Sequence, residues 1–296
     1  MKSFLLRLGA LLVACTTFAL APAAAQSSMV RVHTNVGPID MTLVNDAPLT
    51  TANFLAYVRG GDYTDVFFHR SAWVTAAPPT PFVIQAGYYK WLGNNTIDTV
   101  TLRPPVDNEF SVNRSNLRGT VAMAKVADAP NSATSQWFIN MMSNTGLDSQ
   151  NGGFTVFARL TPPSLAIADY ISLLPRIDFG TQSPFRDLPV VGWTQGTPVV
   201  RENVIRITSV TEIPAPASDT DRILNYLEAA FPQYIAPWNT STGQALGYNY
   251  RYYSTTNSYV GTKDGSVWFL VPALGGGIRL LGSMESWLAS AVAAGY

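Results

Sequence analysis

Ser135-Gln136-Trp137-Phe138-Ile139-Asn140 is the stretch on which the fold of this chain turns. Side chains alternate along a strand, so over Gln136 to Met141 Gln136 and Phe138 fall on one face and Trp137 and Ile139 on the other. Both faces carry apolar bulk, so one can fill a barrel core while the other lines a pocket. Outward from here the chain continues as short β-rich runs broken by Gly, Pro and Asn, the pattern of a barrel or sandwich. Strands are expected at Val66 to His69, Phe82 to Tyr88, Thr120 to Lys125, Phe154 to Ala158 and Val199 to Val210. Met29 to Thr34 and Ile39 to Val44 flank Asn35-Val36-Gly37-Pro38 and predict a hairpin. Pro48 and Thr50-Thr51 open a helix in which Phe54, Tyr57 and Val58 recur at i, i+3 and i+4 before Gly60-Gly61. A second helix is expected over Leu165 to Leu174.

Composition narrows the function. The 296 residues hold 19 Lys+Arg against 19 Asp+Glu, and only 13% are charged. With no basic run, nucleic acid is not expected as a partner. Past residue 25 no apolar run is long enough to span a bilayer. The first 25 residues differ: Lys2 and Arg7 precede an apolar stretch from Leu8 to Leu20, then Pro22 and Ala23-Ala24-Ala25 before Gln26. This is the pattern of a cleavable secretory signal over 1–25, which predicts a periplasmic or secreted protein. Cleavage at Cys15 with lipidation is the alternative, although the residues after Cys15 stay apolar up to Ala25. Either way the mature chain has no disulfide, because Cys15 is the only cysteine. Two histidines, His33 and His69, cannot make a metal cluster alone. There is no GxSxG, HExxH, P-loop or dinucleotide fingerprint, and Gly275-Gly276-Gly277 reads as a turn. No cofactor or metal is expected.

Five segments carry most of the remaining information: Phe67-Phe68-His69-Arg70, Phe82-Val83-Ile84-Gln85-Ala86-Gly87, Gly119-Thr120-Val121-Ala122-Met123-Ala124, Ser135 to Asn140, and Phe154-Thr155-Val156-Phe157. In this order and spacing, and with Ala52-Asn53-Phe54 in the first helix, they resemble the cyclophilin family of peptidyl-prolyl isomerases, of the secreted bacterial type, over Met29 to Glu212. The resemblance implies a mainly β fold, a closed antiparallel barrel capped by two helices. It also implies isomerisation of X-Pro bonds in proline-containing polypeptides. It makes Arg70 the catalytic residue, assigns Phe82, Phe138 and Leu147 to a proline pocket, and has Gln85 and Gln136 contact substrate and orient the arginine. Ala124 matches a position whose backbone contacts the peptide, and Phe154 stands where many members have a pocket histidine.

The residues read physically lead to the same place. Rotation about X-Pro faces a barrier of about 18 to 20 kcal/mol because amide resonance stiffens the C–N bond. A catalyst has only to weaken that resonance, so no nucleophile, base or metal is needed. A guanidinium donating to the prolyl nitrogen as it becomes pyramidal would favour the twisted amide over the planar one. Without the surrounding motifs, Arg70 would read as a surface arginine at a strand end. His69 reads as a buried structural histidine. Three departures from the family stand out: a loop enlarged by about seven residues between Arg70 and Phe82, with Pro78, Pro79 and Pro81; Gly146 where many members carry Trp; and Lys125 in place of a common asparagine. They imply altered peptide preference and poor binding of cyclosporin-like ligands. Pro175 to Pro198 is a further insertion.

Residues 213–218, with Pro214 and Pro216, read as a stiff linker. Beyond it, 219–296 reads as a small α+β accessory module. Its signals are a capping box at Ser218 and Asp221, a helix face of Ile223, Leu224, Leu227 and Phe231, tyrosine-rich strands over Tyr248 to Tyr253 and Ser258 to Val260, a strand Ser266 to Val271, and a helix Ser283 to Ala294. Every barrel motif precedes the linker, so the barrel is expected to be complete without the module. The module's aromatics read as core, or alternatively as an exposed ligand or envelope contact. A groove that binds extended chains without turning them over is the rival to an isomerase.

Overall fold

The computed structural model describes residues 29–92, 96–179, 184–237, 239–272 and 275–296. The expected signal segment and Cys15 lie outside these. In chain order the first half runs β1 (Met29–Thr34), β2 (Gly37–Leu43), α1 (Pro48–Arg59), β3 (Arg70–Ala76), β4 (Pro79–Ala86), a small pair β5 (Tyr89–Trp91) and β6 (Ile97–Thr99), β7 (Thr120–Met123) and β8 (Trp137–Asn140). Then follow β9 (Val156–Leu160), α2 (Pro162–Ser172), a second small pair β10 (Arg176–Ile177) and β11 (Leu188–Pro189), and β12 (Ile207–Ile213). Eight of these strands form one sheet in the order β12-β1-β2-β9-β7-β8-β4-β3. Its ladder ends at β12 and β3, which do not pair as strands. They are linked just before β3 by a single bridge, Phe67 to Arg206, with Phe68 N donating to Ile205 O and Ile207 N to Val66 O.

The main core lies where the alternation of β8 placed it. Trp137 and Ile139 are fully buried with Val30, Val32, Ile39, Met41, Phe54, Tyr57, Val121 and Phe157. Phe54, Tyr57 and Val58 form the buried face of α1, as their spacing predicts. That helix has Pro48 in its first turn and no cap from its own side chains. Glu109 supplies the missing acceptors, taking Leu49 N at 3.1 Å and Thr50 N at 2.7 Å. Phe138 belongs to a second cluster on the opposite face of the sheet, with Ala72, Val83, Ala122, Leu147 and Val156.

Several expectations are corrected. Val66 to His69 is not a ladder strand: Val66 and Phe67 make isolated bridges, and the strand begins at Arg70. The enlarged loop after Arg70 is a hairpin, β3 against β4. Prolines argue against a central strand, yet Pro79 and Pro81 are accommodated because β4 pairs with β8 only over Val83–Ala86, so both lie beyond that overlap. The late strand runs over Ile207–Ile213 instead of Val199 to Val210 and takes in Ile213 from the expected linker.

The C-terminal part comprises α3 (Asp219–Ala230), β13 (Thr240–Ala245), β14 (Tyr248–Tyr253), β15 (Ser258–Lys263), β16 (Ser266–Leu270), β17 (Arg279–Ser283) and α4 (Met284–Ala293), its strands forming a meander in sequence order. Ser218 caps α3 by accepting from Asp221 N, as expected. The unpredicted strands β13 and β17 lack the aromatic alternation that marks β14. This part is not merely tethered to the large sheet. Arg31 of β1 is buried, donates from Nε and Nη2 to Asp40 of β2 at 2.7 Å each, and reaches Glu228 of α3 with Nη1. Glu228 also accepts from Arg251 and from the Tyr253 hydroxyl, while Tyr296 donates to Asp40 at 2.6 Å. Burial alone would raise the Glu228 carboxyl, but the charges and hydrogen bonds of Arg31 and Arg251 hold it below the usual range.

Candidate active site

Strand register assembles the site. Arg70, the first residue of β3, stands opposite Gln85 on β4; Gln85 stands opposite Phe138 on β8; Phe138 stands opposite Ala122 on β7. Directly opposed residues share a face, so four strands contribute one row: a cation, an amide, an aromatic ring and a small residue. Gln85 Nε2 donates to Gln136 Oε1 at 2.9 Å, and Arg70 Nη1 makes a long contact of 3.5 Å with Gln85 Oε1. The amide pair sets Gln85 Oε1 toward the guanidinium, and most of the guanidinium's donors have no side-chain partner among the described residues.

Arg70, Phe82, Val83, Gln85, Ala124, Lys125, Phe138, Leu147 and Phe154 line a cleft of about 190 Å³. All the residues singled out from the sequence are in this lining except Gln136, which stands behind Gln85. Val83 was not foreseen, because next to Phe82 on a regular strand it would face the other way. The pairing passes from Ala72 opposite Val83 to Trp73 opposite Pro81, which leaves Phe82 unpaired and brings both neighbours to the cleft. No sequence signal marked that irregularity. Lys125, a departure from the family in the sequence, also lines the cleft.

The floor is fixed from behind. Phe138 and Phe154 meet edge to face at 5.7 Å, and Phe154 N donates to Leu147 O at 3.1 Å. Leu147 lies in a 3-10 turn over Thr145–Asp148. Asp148 anchors that turn through Ser115 Oγ and through the backbone and side-chain nitrogens of Asn116. Burial opposes ionisation of Asp148, yet these donors hold its carboxyl below the usual range. Asn144 Nδ2 ties the same turn to Phe82 O at 2.9 Å. Ala124 N is taken by Gln136 O at 2.9 Å. His69 is structural: its ring meets Tyr89 at 4.9 Å, and burial, with the charge of Arg70, lowers its pKa to about 3. Among the described residues, no three His, Cys, Asp or Glu side chains come together to hold a metal.

The cleft thus sets the arginine and the amide pair at the edge of an apolar floor. A family model for cyclophilin type peptidyl-prolyl cis-trans isomerases matches residues 29–195. The chain belongs to this family, and the activity that goes with it is peptidyl-prolyl cis-trans isomerisation. It is 32% identical over 193 residues to a peptidyl-prolyl cis-trans isomerase of Acinetobacter baylyi, covering 64% of this chain and 92% of that protein. It is 33% identical over 167 residues to peptidyl-prolyl cis-trans isomerase B of Escherichia coli K12, covering 54% and 92%. A crystal structure of a Cryptosporidium parvum cyclophilin type isomerase superposes with a TM-score of 0.47 at 21% identity, covering 64% of this chain and all of that one. The family match stops at residue 195, whereas β12 completes the large sheet at Ile213.

Proposed function

We propose that isomerisation takes place in the Arg70 cleft, by guanidinium-assisted weakening of amide resonance. The proline ring sits on Phe82, Phe138, Leu147 and Phe154, and Arg70 donates to the prolyl nitrogen as the amide twists. The observation that carries this reading is the Arg70–Gln85–Gln136 chain at the edge of an apolar floor. Uncatalysed isomerisation takes tens of seconds, so a turnover of about 10 to 1000 per second requires lowering the barrier by roughly 4 to 7 kcal/mol. One preorganised donor in a water-poor site contributes roughly 3 to 4 kcal/mol. Selective binding of the twisted form by the pocket supplies the rest. A short Ala-Pro peptide assayed with purified protein tests the reading: accelerated cis-trans exchange supports it, and peptide binding without acceleration would establish the holding groove instead.

The substrates in this reading are exported or unfolded polypeptides, in the periplasm or outside the cell. Support comes from the signal-like segment before Gln26, and the mass of the exported chain tests it. A chain starting near Gln26 is expected, and an acylated start at Cys15 would replace that reading with an anchored one. Residues 29–212 form the catalytic unit of the proposal, with the second sheet and its helices as the accessory module over 219–296. An envelope contact would fall to the tyrosine-bearing β14 and β15.

A further inference from the structure

Two cations line the cleft, and among the described residues neither has a carboxylate within ion-pair distance. Arg70 has only its long contact with the neutral amide of Gln85. Lys125 Nζ donates to the carbonyl oxygens of Asn151 and Gly153, at 2.7 Å each, and lies 4.9 Å from the centre of the Phe154 ring. An ammonium has three N–H groups, so one is left over. Asp148, the acid on the adjoining turn, is occupied by Ser115 and Asn116. Glu109 is occupied by the first amides of α1. Burial lowers the pKa of Lys125, which places its charge where water screens it less than on an open surface. The rest of the lining is apolar except for Gln85. A chain with balanced formal charge therefore gathers two unbalanced positive charges at this one cleft.

We propose that Lys125 is a specificity-determining residue that selects proline-containing segments carrying Asp or Glu beside the X-Pro bond. The inference rests on the isomerase reading of this cleft. Arg70 serves the prolyl amide, and the remaining N–H of Lys125, on the Phe154 side, takes a carboxylate from a residue flanking the proline.

The test uses pairs of short peptides with Glu or Gln at each of the two residues before the proline and at the one after it. Both kcat/KM and binding are measured for wild type, Lys125→Gln and Lys125→Glu at low and high salt. The ratio of Glu to Gln peptide within each variant cancels any general loss of activity. In at least one position wild type should prefer Glu about fivefold at low ionic strength, the value of one charge pair about 4 Å apart in water. That preference should approach unity near 1 M salt, where the screening length falls to about 3 Å. Lys125→Gln should bring the ratio to about one, and Lys125→Glu should invert it. Equal handling of Glu and Gln peptides by wild type at every position overturns the proposal, as does a preference that survives Lys125→Gln. Tighter binding of Glu peptides with no turnover of any peptide would remove the isomerase reading and leave the acidic selection standing; turnover without discrimination would do the reverse.

Discussion

Replacing Glu228 by alanine should destabilise the whole protein, not only its C-terminal part. Glu228 is 4% exposed and accepts from Arg31 at 2.5 Å, from Arg251 at 2.9 Å and from the Tyr253 hydroxyl at 3.1 Å. Its removal leaves the buried donors of Arg31 and Tyr253 and the partly buried donor of Arg251 without that acceptor. Taking one partner from a buried ion pair costs about 3 to 5 kcal/mol. Arg31 keeps Asp40 and Arg251 keeps Asp221, so the loss should lie near the lower end, about 3 kcal/mol. At roughly 2 to 4 °C per kcal/mol for a chain of this size, the melting temperature should fall by about 6 to 12 °C. Asp169→Asn is the control: its pair with Arg118 is 40% and 42% exposed, and such pairs are worth about 0.2 to 1 kcal/mol. Calorimetry on both variants and wild type should give one cooperative transition, lowered strongly by Glu228→Ala and little by Asp169→Asn. Two separate transitions, or a Glu228→Ala shift no larger than the control, would refute the coupling of the two parts through Arg31.

Acid should weaken the fold well before the carboxylates titrate. Burial, and for each ring a neighbouring arginine, lowers His33 to about 4 and His69 to about 3. Below pH about 6.5 the unfolded chain binds protons that the folded chain refuses, so stability falls with pH, by up to about 2 kcal/mol per histidine between pH 7 and 5. Denaturant midpoints at the two pH values read this directly, and a flat profile contradicts it. Gly87→Ala should cost about 2 kcal/mol or more. Gly87 has φ +106°, and a Cβ there would stand 2.4 Å from Ser135 O. A folded variant of unchanged melting temperature would show that β4 and the loop before β8 can part without cost.

Much of the fold was legible because the decisive positions obey simple periods. Trp137 and Ile139 facing one way and Phe138 the other gave the two clusters, and Phe54, Tyr57 and Val58 gave the buried face of α1. Of the cleft, Arg70, Phe82, Gln85, Ala124, Phe138, Leu147 and Phe154 were found through motif order, which carries spacing that composition does not. What stayed hidden depended on partners distant in sequence. The hairpin after Arg70 was masked by Pro79 and Pro81, whose missing N–H groups matter only once the extent of β8 is known. Val83 entered the cleft through a register shift at Phe82. The burial of Arg31 could not be read from β1 alone, since its second acid, Glu228, lies 197 residues away.

In the proposed reaction the Arg70 guanidinium stabilises the twisted amide and contributes little to holding the planar one. Exchange NMR on a short Ala-Pro peptide measures both quantities in one sample, the dissociation constant and the cis-trans interconversion rate of the bound peptide. For Arg70→Ala, folded by its spectrum, affinity should stay within about threefold of wild type while bound interconversion slows about 10²- to 10³-fold, the loss of one preorganised donor. An unchanged interconversion rate, or a loss confined to affinity, would contradict that role for Arg70.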